Sequence, residues 1–276
     1  MAKKLQGLVA APHTPFNADG SVNLTEIPKQ IDLLVKQGVV GAYICGTTGE
    51  GICCSVEERK SVMKVWADYG KGKLFIIVHV GALSIADARE LAAYAQELGL
   101  DATSIVPPNF FKPGSIDGLI DYINSVLVAA PDLPFYYYHT SMSGVNFDME
   151  QFLIKADGKI PQLAGIKFNY PDLYMFQRCQ RACGAESAIG STYNYSAPLY
   201  YKIWDAYKKG DQAEVAKGMA KVCEIVDILV QYGGVSGGKA MMAYHGLDMG
   251  GVRPPLGNLS AEAKADCVAR LTKILA

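Results

Sequence analysis

The chain lacks an apolar run of the length a membrane-spanning helix needs, about 20 residues, although half of its 276 residues are hydrophobic. It lacks a charge excess of either sign, with 26 Lys and Arg against 27 Asp and Glu. A nucleic-acid backbone binder needs a basic face, so that class is excluded, and a membrane is not an expected partner. No Gly-x-Gly-x-x-Gly turn follows the first apolar run, which removes a dinucleotide-binding enzyme. The four histidines are dispersed, without the paired helical spacing of a metal site. Met1-Ala-Lys-Lys4 leads straight into an apolar run, so no secretory leader is expected. The seven cysteines are an odd number scattered mostly through apolar segments. That suits free thiols in a reducing, cytoplasmic compartment. Cys179 and Cys183 stand four apart and read as packing on one helix face.

What is present is an alternation. Apolar runs at Gly7–Ala11, Val40–Cys45, Leu74–Val80, Ala102–Val106, Pro134–Tyr138, Ala164–Phe168 and Ala185–Ser191 are each of strand length. They are continuous and rich in Val, Ile and Tyr, as parallel strands buried on both faces are. Between them lie stretches with helical spacing. Ser55-Val-Glu-Glu58 is a capping box ahead of a helix over Arg59–Tyr69. Ser84-Ile-Ala-Asp87 resembles one ahead of Ala88–Leu98, with Gly99 as the stop. From Ala197 onward the pattern is helical only, at Leu199–Lys208, Gln212–Tyr232 and Ala261–Leu275, the last capped by Ser260. Such alternation implies right-handed crossovers and a parallel sheet. Two architectures fit: a (β/α) barrel over 1–209 with a helical extension over 210–276, or a doubly wound open sheet. Seven strands are legible.

Three segments can carry chemistry. Gly46-Thr-Thr-Gly-Glu-Gly51 directly follows the second apolar run. Its glycines admit close backbone approach, and its amides and hydroxyls can hold a carboxylate; a tight turn without ligand has the same composition. Lys167 lies inside the apolar run Ala164-Gly-Ile-Lys-Phe168. Burial would lower its pKa toward the neutral amine a Schiff-base nucleophile needs; alternatively its stem snorkels to water. Tyr136-Tyr-Tyr-His139 ends a strand, with Tyr136 and Tyr138 on one face and Tyr137 on the other. One tyrosine could transfer protons, and aromatic packing is the other role. A fourth segment, Gly233 to Lys239, has P-loop spacing. Ala240 stands where a magnesium-binding Ser or Thr belongs, and a helix precedes it, so a nucleotide site is rejected.

In their order, Pro12-His-Thr-Pro15, Gly46-Thr-Thr-Gly-Glu50, Tyr136-Tyr-Tyr-His139, Gly165-Ile-Lys167, Gly190-Ser-Thr-Tyr-Asn194 and Arg253-Pro-Pro-Leu256 carry a resemblance. Together they resemble the N-acetylneuraminate lyase and dihydrodipicolinate synthase superfamily of class I aldolases, across nearly the whole chain. The resemblance implies a TIM-type (β/α) barrel with Lys167 as the Schiff-base lysine and Tyr138 as the acid–base residue. It implies that Thr47 and Thr48 bind a pyruvate carboxylate and that Gly190 and Ser191 line the sugar side. Asn169 stands where members usually carry Thr or Ser and is taken as a substrate-side residue. The resemblance also implies a homotetramer, small-molecule partners (sialic acid, pyruvate, N-acetylmannosamine) and no metal or organic cofactor. Two features point to the lyase branch. Thr140-Ser-Met-Ser-Gly144 lacks the Arg with which synthases bind a second carboxylate. Pro107-Pro-Asn-Phe-Phe-Lys-Pro113 has Phe where synthases carry a proton-relaying Tyr. The implied reaction is cleavage of N-acetylneuraminate to N-acetylmannosamine and pyruvate. The alternatives are another pyruvate-dependent aldolase of the superfamily, or a non-catalytic binder of pyruvate or a sugar acid.

One departure bears on the fold. Between the lysine and the Gly-Ser pair, members of the superfamily place roughly forty residues, two β/α repeats of about twenty each. Here Gly190 follows Lys167 by only 23 positions. One β/α unit is expected to be missing, and with it the family's Gly-x-Asp-Glu segment that grips sugar hydroxyls. The expected outcomes are closure with seven strands, a gap that another chain covers, or a poorly folded chain, with the pyruvate half of the site intact and the sugar half impaired.

Overall fold

Each of the seven apolar runs forms a strand in the computed structural model, which describes residues 5–276. They are β1 (Gly7–Ala10), β2 (Gly41–Ile44), β3 (Phe75–His79), β4 (Ala102–Ile105), β5 (Phe135–Thr140), β6 (Leu163–Asn169) and β7 (Ser187–Gly190). All pair in parallel within one sheet, in the order β6-β5-β4-β3-β2-β1-β7. The sheet curls on itself. Val9, Tyr43, Ile77, Ala102 and Tyr138 form one inner cluster, against which Ile189 of β7 packs. Side chains from β1 through β5 and from β7 thus share one interior, which is a barrel and not the flat alternative.

Six helices follow the first six strands: α1 (Ile27–Lys36), α2 (Val56–Gly70), α3 (Ile85–Glu97), α4 (Ile116–Leu127), α5 (Met149–Ala156) and α6 (Leu173–Cys183). Their starts are chemically specified. Ser55 and Glu58 form the reciprocal capping box of α2, and Ser84 accepts the Asp87 amide at the start of α3. Asp148 and Asp172 do the same for α5 and α6. The apolar stripes of these helices fill an outer core with Ile31, Leu34, Met63, Trp66, Ile123 and Phe152. Because this layer and the interior both exclude water, every residue of β1, β2 and β4 is buried.

The helical remainder is α7 (Tyr193–Lys208), α8 (Gln212–Gln231), α9 (Val235–Met241) and α10 (Ala261–Leu275). Helix α7 begins six residues earlier than its periodicity suggests, and it kinks at Ser196, ahead of Pro198. Tyr195 of α7 is buried with Ile225, Ile228, Met241 and Leu271, and Leu33 of α1 packs on the same cluster. The extension therefore shares a core with the barrel.

Strands β6 and β7 differ from the others. They are the two ends of the strand order, and no residue of either is fully buried. The chain leaves β6, makes the single helix α6, and enters β7, which pairs with β1 from Gly7↔Ser187 to Ala10↔Gly190. One β/α unit is absent, and the barrel has a seam between β6 and β7.

Candidate active site

A register shift creates the site. Phe135 of β5 pairs with Leu163, but the next partners are Tyr136 and Gly165, with a bulge between. Without it Lys167 would stand beside His139. With it Lys167 pairs with Tyr138, so both side chains point into the barrel. Tyr137 and His139 point outward, against Phe152, Phe168 and Tyr170. This is the alternation the Tyr-Tyr-Tyr-His run implied.

The Lys167 ammonium nitrogen lies 3.3 Å from the centroid of the Tyr138 ring and 4.8 Å from that of Tyr43. It does not snorkel outward. Burial lowers its pKa, and contact with Tyr138 opposes that fall without reversing it. Burial pushes the Tyr138 phenol up, but Lys167, Thr47 and Asn169 outweigh it and hold the phenol below its ordinary value. Tyr43 stands edge-on to Tyr138 at 5.8 Å and donates to Ser104 Oγ at 2.9 Å. Ser104 donates onward to the Tyr136 carbonyl at 2.7 Å, which fixes the floor of the site. His79 is buried beside them and kept neutral by burial and by the charges of Arg59 and Lys167.

The turn after β2 faces this pair. Thr47 Oγ1 lies 3.5 Å from the Tyr138 hydroxyl. Among the described residues, neither the Thr47 nor the Thr48 amide meets a protein acceptor. The turn is tight: a side chain on Gly46 would meet the Tyr43 ring at 2.5 Å, and one on Gly51 would collide with the Cys45 carbonyl. Cys45 (φ 56°) and Glu50 (φ 52°) flank it, and they are the only non-glycine residues with positive φ among the described ones. Backbone held in this region costs about 1–3 kcal/mol and gathers at functional sites.

Lys167, Tyr138, Thr47, Thr48 and Asn169 thus belong to one mouth of the barrel. Gly190 and Ser191 stand at the opposite end of the strand order, at the tip of β7, where Gly190 O accepts the Ala11 amide at 3.0 Å. Sequence reasoning missed Tyr43, although its place in β2 put it on the inner face. It also missed the use of Lys239, whose ammonium is buried against Glu50 at 2.7 Å and is therefore closed to phosphate. Cys179 is buried in the outer core, whereas Cys183, read as packing on the same helix face, is exposed. A cavity of about 630 Å³ between α9 and α10 is lined by Lys239, Asp248, Lys264 and mostly small apolar residues, and neither Lys167, Tyr138 nor the Thr47–Thr48 turn lines it.

A lysine pointing inward from a strand of a (β/α) barrel, beside a tyrosine and a Gly-Thr-Thr-Gly-Glu turn, defines the class. The profile of the Dihydrodipicolinate synthetase family matches residues 4–183 and 180–274, and the chain belongs to that family. Within it the chain is similar to an N-acetylneuraminate lyase of Rattus norvegicus, 38% identical over 99% of this chain and 93% of the relative. The solved Proteus mirabilis N-acetylneuraminate lyase is 50% identical with a TM-score of 0.96, covering 99% of each chain. The N-acetylneuraminate lyase of Aliivibrio salmonicida is 48% identical, also at TM-score 0.96, covering 99% of this chain and 97% of that one. The alignment with the rat protein runs over 298 positions, 22 more than this chain has residues. The two stretches of the family match meet at 180–183, the end of α6, where the β/α unit is missing.

Proposed function

We propose that this protein is a class I aldolase that cleaves N-acetylneuraminate to N-acetylmannosamine and pyruvate. The observation that carries the reading is the Lys167 amine, directed into the barrel against Tyr138, with its pKa lowered by burial. The likeness to N-acetylneuraminate lyases over almost the full chain supports the substrate.

In this reading the open-chain sugar acid enters with its carboxylate at the Thr47 and Thr48 amides. Neutral Lys167 attacks the keto carbon, and loss of water gives an iminium. Tyr138, its phenol pKa held down by Lys167, Thr47 and Asn169 despite burial, takes the proton from the C4 hydroxyl. The C3–C4 bond breaks, its electrons pass into the iminium, and N-acetylmannosamine leaves as the aldehyde. Protonation of the enamine and hydrolysis release pyruvate and the free amine. Gly190 and Ser191 are assigned to the sugar side and Asn169 to the hydroxyl of Tyr138. The test is a coupled assay for pyruvate release from N-acetylneuraminate; a folded protein that releases none overturns the reading.

The missing β/α unit favours a second reading, in which the pyruvate half works and turnover of the sugar acid is weak or lost. It predicts thermal stabilisation by pyruvate without product formation. We also infer a homo-oligomer, a tetramer by family resemblance. Phe110 and Phe111, 76% and 85% exposed at the mouth of the barrel, support association. The free thiols support a reducing, cytoplasmic setting. No described helix is long and apolar enough to cross a membrane.

A further inference from the structure

The turn that faces Lys167 is fixed from behind by the helical extension. Glu50, the acid of Gly-Thr-Thr-Gly-Glu, is 2% exposed and held at a left-handed φ of 52°. Its amide donates to the Thr47 carbonyl at 3.1 Å, so its backbone sets where the Thr47–Thr48 amides point. Its side chain points away from the site. Oε1 lies 2.7 Å from the Lys239 ammonium, and Oε2 accepts the Arg253 amide at 2.8 Å. Lys239 in turn donates to the Gly251 carbonyl at 2.6 Å and lies 4.0 Å from the centroid of the Phe16 ring. The Arg253 guanidinium is gripped by both oxygens of Glu58 and donates to the Cys53 and Gly20 carbonyls. Cations from the segment after α8 therefore meet Glu50 of the β2–α2 connection and Glu58 in the first turn of α2. A strained φ persists only where its surroundings over-determine it, and these contacts do so.

We propose that Lys239 and Glu50 are a positioning pair for the reaction: their ion pair holds the backbone at Glu50 and so aims the Thr47 and Thr48 amides at the carboxylate of the 2-oxo acid. The proposal rests on the aldolase reading above. Both side chains are enclosed, at 2% and 1% exposure, so neither touches substrate. The Gly-Lys segment that resembles a phosphate loop is the back wall of a carboxylate clamp.

A pair of ketones tests this. Pyruvate and acetone both condense with Lys167, but only pyruvate carries a carboxylate. Each is titrated with borohydride present, and the reduced adduct on Lys167 is quantified by mass spectrometry in wild type, Lys239→Met, Lys239→Arg and Glu50→Gln. The expected result is a rise of about tenfold in half-saturating pyruvate for Lys239→Met and Glu50→Gln, the loss of a charge-assisted contact. Acetone trapping is expected to be unchanged, and Lys239→Arg to restore the pyruvate response. Equal weakening with both ketones would mean a structural role only and would overturn the proposal, as would an unaltered pyruvate response. If the buried variants do not fold, Glu58→Gln, which loosens the partly exposed Arg253 arm, carries the same ketone comparison. It is expected to weaken pyruvate trapping alone, and no difference between the ketones overturns the proposal. Wild type that traps neither ketone refutes the aldolase reading itself, a separate result.

Discussion

Lys167 and Tyr138 set each other's protonation. Removing the lysine from water lowers its pKa, and Tyr138 pulls it partway back. Adduct formation with pyruvate should therefore rise with pH through a limb below the ordinary lysine value of 10.5. In Tyr138→Phe the group that raises the lysine pKa is gone, so the limb should move to still lower pH. The same variant should lose about 10²–10⁴-fold in turnover, the usual range for a general acid–base residue. Rates of borohydride trapping and of pyruvate release across pH check both. A limb that moves upward in Tyr138→Phe would contradict the assignment. His139 makes a second residue-scale case. It is fully buried between aromatic rings, and burial depresses its pKa to about 4. The unfolded chain takes up this proton near pH 6.5 while the folded chain refuses it. Stability is thus complete above about pH 6.5 and declines as pH falls toward 4. His139→Phe should show a shallower fall in Tm over that window, measured by thermal melts at several pH values.

Strands such as β1, β2 and β4 were legible in this sequence because burial on both faces leaves a continuous apolar run, and β6 and β7 kept the run of strand length although no residue of either is fully buried. Helix starts were legible where Ser55, Ser84 and Ser260 cap them. Lys167 was legible as a cation among apolar neighbours, and Tyr138 through its place in an aromatic run. Their adjacency was not. It depends on the bulge between β5 and β6, and a one-residue register shift leaves no mark in composition. The kinked start of α7 was missed because Pro198 and Ser196 break the helical pattern there. The pairing of Glu50 with Lys239 joins segments far apart in the chain, and each had a local reading of its own, a turn and a phosphate loop. Strand edges follow the same logic and yield a prediction. With no neighbour across the seam, the amides of β6 and β7 should exchange with deuterium faster than those of β2, β3 and β4. Peptide-level exchange on the free protein measures this, and equal protection would mean that the seam is covered.

On the scale of the whole molecule, two features set this chain apart. The absent β/α unit leaves a seven-stranded barrel whose proposed Schiff-base lysine, Lys167, sits on an edge strand. The helical extension supplies Lys239 and Arg253 to the turn behind the proposed carboxylate site and shares a core with α1 and α7. A division into a barrel over 1–209 and an extension over 210–276 therefore describes sequence and not independent folding. Residues 1–209 expressed alone should expose the Leu33 and Tyr195 side of that core and lose cooperative unfolding. A sharp melt equal to that of the full chain would show the extension to be dispensable. Central to the account is the claim that the Lys167 amine condenses with a 2-oxo acid. Borohydride reduction of the folded protein with pyruvate, followed by peptide mapping, tests it most directly. The account predicts one stable pyruvate adduct, on the peptide containing Lys167 and absent in Lys167→Met. A folded protein without that adduct, or with it on another lysine, would contradict it.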